Sequence, residues 1–118
     1  MKPEFVNYEQ ALALKELGFD EPCFGGYDME TLKLWIGYLN DGEQFNREYY
    51  CPAPTFSQAL RWFRNRDFLV DISSHENCEY DFYIRCPPVS ILSDLYDTYE
   101  EAENGCIDKL IELSRHFQ

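Results

Sequence analysis

The sequence predicts an α+β fold in which helices cover one face of an antiparallel sheet of about four strands. Two observations lead to this class: three segments carry the residues that start helices, and stretches of alternating apolar residues lie between them. A third sets the size, because 118 residues with two tryptophans, nine tyrosines and nine phenylalanines can form one hydrophobic core. We therefore expect a single α+β domain over residues 1–118, with the element order α-β-β-α-β-β-α.

The three helix starts share one local pattern, in which an Asn or Thr is followed three positions later by Gln or Glu. The first side chain can accept a hydrogen bond from an amide of the first turn, and the second can accept one from the amide of the cap. This reciprocal arrangement is a capping box. The pairs are Asn7 with Gln10, Thr55 with Gln58, and Thr98 with Glu101.

The lengths of the first two helices follow from their ends. The first is expected from Tyr8 to about Leu17, because Gly18 is a typical residue just beyond a helix C-terminus. The second is expected from Phe56 to about Asn65, with apolar residues along one side.

The third helix is expected to begin at Tyr99 and has the clearest apolar stripe of the chain. Its members recur at intervals of three and four residues, which is the spacing of one helix face. They are Tyr99, Ala102, Cys106, Leu110, Leu113 and Phe117. Gly105 lies inside this helix at a cost of about 1 kcal/mol relative to alanine, which indicates close packing at that position.

Two hairpins are expected to form the sheet. Residues 31–38 alternate between apolar and other side chains, as in a half-buried strand, and residues 23–27 are expected to pair with them through a turn near residues 28–30. The apolar side of that strand carries Leu32, Leu34, Ile36 and Tyr38. Residues 68–72 and 80–85 form the second hairpin, which two consecutive prolines end.

Two connections remain. Residues 40–53 form the longest one, and Pro52 and Pro54 keep the chain extended before the second helix. Residues 89–97 fit either a loop or a short strand.

The charge of the chain restricts its partners. Ten lysines and arginines stand against 22 aspartates and glutamates, for a formal net charge of −12. Such a surface repels phosphate groups, so direct binding to nucleic acid or to anionic lipid is disfavoured. It attracts basic protein surfaces, although the same charge also serves to keep an aromatic-rich domain soluble.

The sequence also indicates a compartment. No stretch approaches the roughly 18 consecutive apolar residues of a membrane span. The start, residues 1–4, lacks the basic and apolar regions of a secretory signal, so we expect a soluble protein of the cytoplasm.

The five cysteines include no Cys-x-x-Cys pair, which favours reduced and mostly buried thiols. The nearest approach to a metal-binding set is His75, Cys78 and Cys86. Because a structural zinc site takes four ligands, usually in two close pairs, we expect no metal and no cofactor.

Several segments resemble a family of small proteins encoded by phages and prophages of gut bacteria. The most specific is residues 53–64, Ala-Pro-Thr-Phe-Ser-Gln-Ala-Leu-Arg-Trp-Phe-Arg, and residues 16–19, 21–23, 98–102 and 108–113 add to it. The resemblance implies a role in the host cell, where small acidic phage proteins commonly occupy a surface of the host machinery. It transfers no catalytic or binding residue.

A basic cluster is the first candidate site. Arg61, Arg64 and Arg66 surround Trp62, and in an acidic chain such a cluster can hold a phosphate, a carboxylate or an acidic peptide, with the indole as a stacking surface. This reading predicts a binding protein for a nucleotide or another small anion. The simpler reading is that cations near a helix C-terminus complement its dipole and pair with acids such as Asp67.

An acidic side of the third helix is the second candidate site. Asp97, Glu101, Asp108 and Glu112 follow the side opposite the apolar stripe. Carboxylates on a rigid helix can imitate a phosphate backbone and so inhibit a protein that binds nucleic acid. They also suit a merely solvated helix face.

Exposed aromatic residues are the third candidate site. Trp35 and Tyr83 point away from the predicted core sides of their strands, so they would mark an open aromatic face of the sheet. Either a partner protein or a second copy of the chain, in a homodimer, would cover that face.

No catalytic motif is present in the sequence. His75 and His116 are the only histidines, and neither lies beside a recognisable nucleophile motif. We therefore predict a non-enzymatic acidic protein, of phage origin, that binds a basic surface of a host protein. An anion-binding protein using the arginine cluster is the alternative.

Overall fold

The computed structural model describes residues 4–37 and 49–116. This part of the chain contains three helices and two three-stranded antiparallel sheets, which confirms the α+β class. The elements are α1 (Tyr8–Glu16), β1 (Gly25–Asp28), β2 (Leu34–Ile36), β3 (Tyr50–Ala53), α2 (Phe56–Arg64), β4 (Leu69–Ser74), β5 (Tyr80–Cys86), β6 (Val89–Leu92) and α3 (Tyr99–His116). The predicted order and the single sheet of about four strands are wrong, because each half of the chain adds one strand and forms its own sheet.

The chain divides into two compact units, Met1–Ala59 and Leu60–Gln118. The residues of α2 are shared between these ranges. That residues 1–118 form one domain stays a prediction. Within the described ranges, none of the helices has both the length and the apolar character needed to cross a bilayer.

Helix α1 begins and ends where the sequence predicts. The Asn7 side chain accepts a hydrogen bond from the Gln10 amide at 2.8 Å, and the Gln10 side chain accepts one from the Asn7 amide at 3.0 Å. At the other end Leu17 is the C-cap, and Gly18 follows with φ +105°, a left-handed conformation that glycine adopts without a steric penalty.

Helices α2 and α3 also begin at the predicted residues. The Thr55 hydroxyl accepts from the Gln58 amide at 3.2 Å, and the Thr98 hydroxyl accepts from the Glu101 amide at 3.1 Å. The Gln58 side-chain amide donates to the Pro22 carbonyl, 2.8 Å away, so it ties α2 to a distant segment of the first unit.

The sheet of the first unit has the strand order β2-β1-β3. The predicted hairpin between β1 and β2 is confirmed, with Gly26 opposite Trp35. Residues 40–53 were predicted to be a connection, but Tyr50–Ala53 form strand β3, which contains Pro52. The proline is accommodated because β3 is an edge strand of the described sheet, where a missing N–H need not break a ladder.

Strand β2 covers only Leu34–Ile36 of the predicted residues 31–38, and the burial of this segment differs from the prediction. Leu32 and Ile36 are 51% and 48% exposed, although the alternation placed them on a half-buried side. Tyr38, on the same predicted side, lies outside the described residues. The buried apolar residues of this unit come instead from α1, β3 and the segments beside them, and they include Val6, Leu14, Phe19, Cys51 and Ala53.

The sheet of the second unit has the strand order β4-β5-β6. The predicted hairpin of β4 and β5 is confirmed, with Ile72 opposite Phe82, and the ambiguous segment after it forms β6, with Ile91 opposite Ile84. Helix α3 packs on β4 and β5. The buried residues here include Phe63, Phe82, Ile84, Ala102, Cys106, Ile107, Leu110 and Leu113. Phe117, the last member of the predicted stripe, is outside the described residues.

Candidate functional site: an acidic groove beside helix α3

The polar side of α3 follows from its apolar stripe. Because Ala102, Cys106 and Leu110 are fully buried, the residues on the opposite side of the helix face solvent. This side carries a row of exposed carboxylates, which we call the acidic stripe. Its members are Glu101, Asp108 and Glu112 on the helix, together with Asp97, which lies two residues before it.

An open groove of about 450 Å³ runs between the acidic stripe and the β6 edge of the second sheet. Its helix wall consists of Gly105, Asp108, Lys109 and Glu112. The strand wall and the floor are formed by Ile91, Leu92, Ser93, Asp94, Phe82 and Tyr96. We call this set of residues the acidic groove.

The acidic groove combines a negative rim with an apolar floor. Three carboxylates, those of Asp94, Asp108 and Glu112, line it together with one ammonium group. That group, Lys109 Nζ, lies 3.3 Å from a Glu112 carboxylate oxygen on the same helix. Three carboxylates against one ammonium group leave the groove with a net negative charge.

Tyr96 holds the helix wall at a close distance from the strand wall. Its backbone is bonded in both directions to Tyr80, with N···O distances of 2.7 and 2.9 Å, and its ring stacks on Phe82 with centroids 6.1 Å apart. A β-carbon added at Gly105 would lie 2.8 Å from Tyr96 Cζ and closer still to the hydroxyl oxygen. The close packing expected at Gly105 is therefore confirmed, and glycine is the residue that permits it.

The core beneath the groove suppresses the ionisation of a thiol. Cys106 follows Gly105 and is fully buried. Its burial, and to a smaller degree the nearby Glu103 carboxylate, raises the pKa of the Cys106 thiol from 9.0 to about 12. This thiol therefore stays neutral near pH 7.

The arginine cluster is exposed, but its aromatic member is not. Arg61, Arg64 and Arg66 all face solvent, whereas Trp62 is only 7% exposed and packs edge-on against Phe63 with centroids 5.0 Å apart. The Arg66 guanidinium lies 4.5 Å from the centroid of the indole. Because Arg66 already covers this ring, the expected stacking surface for a ligand is occupied by a side chain of the same chain.

The two aromatic residues predicted to mark an open face, Trp35 and Tyr83, belong to different sheets. Trp35 on β2 is 50% exposed, and Lys33 Nζ lies 6.0 Å from its ring centroid. Tyr83 on β5 is 38% exposed and stands directly opposite Leu92 of β6. The prediction of one open aromatic sheet face that contains both residues is therefore wrong, because it required a single sheet.

One pair of functional groups was missed in the sequence. His75 Nε2 lies 3.0 Å from a carboxylate oxygen of Asp81, whose residue is 9% exposed. The signal was the hairpin register, since Ser74 pairs with Tyr80 and Ser73 with Asp81, so His75 lies diagonally across from Asp81 on the same face. In the part of the chain that the structure describes, no three His, Cys, Asp or Glu side chains are grouped to hold a metal ion.

No protein-family model, no curated protein and no solved structure matches this chain. The resemblance to small phage proteins therefore stays a prediction.

Proposed function

We propose that this protein is a non-enzymatic acidic binding protein, of phage origin, that engages a basic surface of a host protein in the cytoplasm. The observation that carries the proposal is the exposed acidic stripe of α3 beside the acidic groove. A row of carboxylates on a rigid helix can also compete with a phosphate backbone, so inhibition of a protein that binds nucleic acid is the form of action we favour.

Charge supports the proposal in two ways, through long-range attraction of a basic partner and through direct contacts with it. The net charge of −12 attracts a basic partner over a range of about 10 Å at 0.1 M salt, which raises the rate of encounter. At contact, the carboxylates of Asp108 and Glu112 supply acceptors for lysine and arginine side chains. The partner's complex should therefore weaken as the salt concentration rises.

The experiment compares three versions of the immobilised chain as bait in a bacterial lysate. The first is the natural chain. The second neutralises the acidic stripe through Asp97→Asn, Glu101→Gln, Asp108→Asn and Glu112→Gln. The third is a matched control that neutralises four exposed acids elsewhere, through Glu4→Gln, Glu9→Gln, Glu30→Gln and Glu76→Gln.

The two variants have the same net charge, so they separate the position of the charges from their number. We expect a host protein that is retained at low salt by the natural chain and by the control but is lost from the stripe variant. Equal loss from both variants would mean that only overall charge matters. Retention of no host protein by the natural chain would contradict the proposal.

A further inference from the structure

Strand β6 ends its sheet and borders the acidic groove. Its order in the sheet is β4-β5-β6, and no strand within the described ranges pairs with its outer side. Ser90 and Leu92 are exposed, and Leu92 reaches 68% exposure. A sheet edge of this kind is a template for an additional strand.

The hydrogen bonds to β5 define which backbone groups of β6 point outward. The Ser93 amide donates to the Phe82 carbonyl at 3.0 Å, and the Phe82 amide donates to the Ser93 hydroxyl at 2.9 Å. Hydrogen-bonded positions alternate along an antiparallel pair, so Ile91 also faces β5 while Ser90 and Leu92 direct their amides and carbonyls to the outer edge. A segment alongside would lie about 4.8 Å from β6, over the groove.

The groove selects the side chains of such a segment. Every second side chain of an added strand would point toward the floor formed by Phe82 and Tyr96, and its tip would reach the rim with Asp108 and Glu112. Lysine and arginine fit both parts, because their methylene stems cover apolar surface while their charged ends stay at the polar rim.

From these observations we propose that the acidic groove binds an extended basic segment of a partner protein, which adds to β6 as a fourth strand and places alternate lysine or arginine side chains between β6 and α3. This inference rests on the proposed function, because it takes the partner to be basic. It adds the binding mode: main-chain bonds supply affinity, and the groove supplies the preference for alternate cations.

The test uses a blocked hexapeptide of alternating lysine and valine, titrated into the full-length protein and followed by calorimetry and by the amide resonances of the protein. Two further peptides carry N-methyl groups, one on the lysine amides and the other on the valine amides. Because only one set of amides faces β6, one methylated peptide should bind about ten-fold more weakly while the other keeps its affinity. The resonances that shift should cluster in residues 90–94 and 105–112.

A variant pair tests the same bonds from the protein side. Leu92→Pro removes an outward amide at an edge position, and Leu92→Ala shortens the side chain but keeps the amide. We expect loss of peptide binding in the proline variant alone. If that variant fails to fold, the methylated peptides still decide the question, since they are measured on the natural chain.

Two outcomes would overturn the inference, and they bear differently on the proposed function. Binding that is lost in Asp108→Asn with Glu112→Gln but is equal for both methylated peptides would show a charged surface without strand addition, and the proposed function would stand. Absence of peptide binding to the natural chain would also overturn the inference, while the comparison of baits decides separately whether a basic host protein is engaged.

Discussion

Alkaline pH should destabilise this protein through one buried thiol, that of Cys106. Its pKa is raised from 9.0 to about 12 in the folded chain, chiefly because burial disfavours the thiolate. In the unfolded chain the same thiol ionises near its ordinary pKa. Above pH 9 the folded state therefore holds a proton that the unfolded state has lost, so the stability conferred by the neutral thiol is complete below pH 9 and declines as pH rises toward 12.

The size of the effect follows from the difference between the two pKa values. Each pH unit between them costs about 1.4 kcal/mol of unfolding free energy, so the full interval amounts to roughly 4 kcal/mol. That is a large part of the total stability of a small domain, which is about 5–15 kcal/mol. By pH 10.5 the loss should already reach about 2 kcal/mol.

Urea denaturation at a series of pH values from 8 to 11 measures this loss, with Cys106→Ala as the matched control. Other groups, including Tyr27 and Tyr99, whose pKa values are also raised by burial, titrate in both proteins. The difference in slope between the natural chain and the variant therefore isolates the thiol. We expect the natural chain to lose about 1.4 kcal/mol per pH unit more than the variant above pH 9.

Parallel pH profiles of the two proteins would refute the reasoning. They would mean that the Cys106 thiol ionises as easily in the folded chain as in the unfolded one. That result would contradict the burial of the apolar stripe of α3 against its sheet.

Three further measurements test other parts of the structure. Gly105→Ala should lower the unfolding free energy by about 1 kcal/mol, because the clash with Tyr96 outweighs the gain in helix propensity. In a Tyr96→Ala background the same change should stabilise the protein. A stabilising effect in both backgrounds would contradict the contact between Gly105 and Tyr96. Asn7→Ala should cost about 1 kcal/mol in urea denaturation while Asn7→Asp costs less, since the capping bond to the Gln10 amide is lost only in the first; equal losses would count against the cap. A thiol reagent should modify exposed Cys78 rapidly in the native protein and buried Cys106 only after unfolding. Peptide mapping by mass spectrometry measures both rates. Modification of the two thiols at similar rates would contradict the difference in their exposure.

The helices were predictable because their signals are local. Asn7, Thr55 and Thr98 each bond an amide three residues away, so a short stretch of sequence contains the whole interaction. Gly18 likewise ends α1 through its own backbone conformation. These features do not depend on what the rest of the chain does.

The strands were harder, because their environment is decided by distant residues. Residues 50–53 were predicted to lie in a connection, yet they form an edge strand that tolerates Pro52, in a sheet whose order no local pattern reveals. The alternation around Ile36 predicted a buried side, but half of that side chain is exposed. Period-two patterns show which residues share a side, and not whether anything covers it.

The candidate site divides in the same way. The acidic stripe follows from helical periodicity, so Asp108 and Glu112 were identified in the sequence. The groove was not, because its walls combine α3 with β6 and its floor depends on the ring of Tyr96. The burial of Trp62 was also missed, because its indole was grouped with the neighbouring arginines as part of an exposed cluster.

The contact between Tyr96 and Gly105 limits the distance between α3 and the sheet edge, and so the width of the acidic groove. A single aromatic ring, whose backbone is bonded to Tyr80, limits how closely the helix approaches the sheet edge, so we expect the opening to keep its width when it is filled. We expect a slot of constant width to act as a steric filter that admits slender aliphatic stems and turns away bulky rings. Exchanging this one tyrosine would then change which sequences are admitted, without altering any charge.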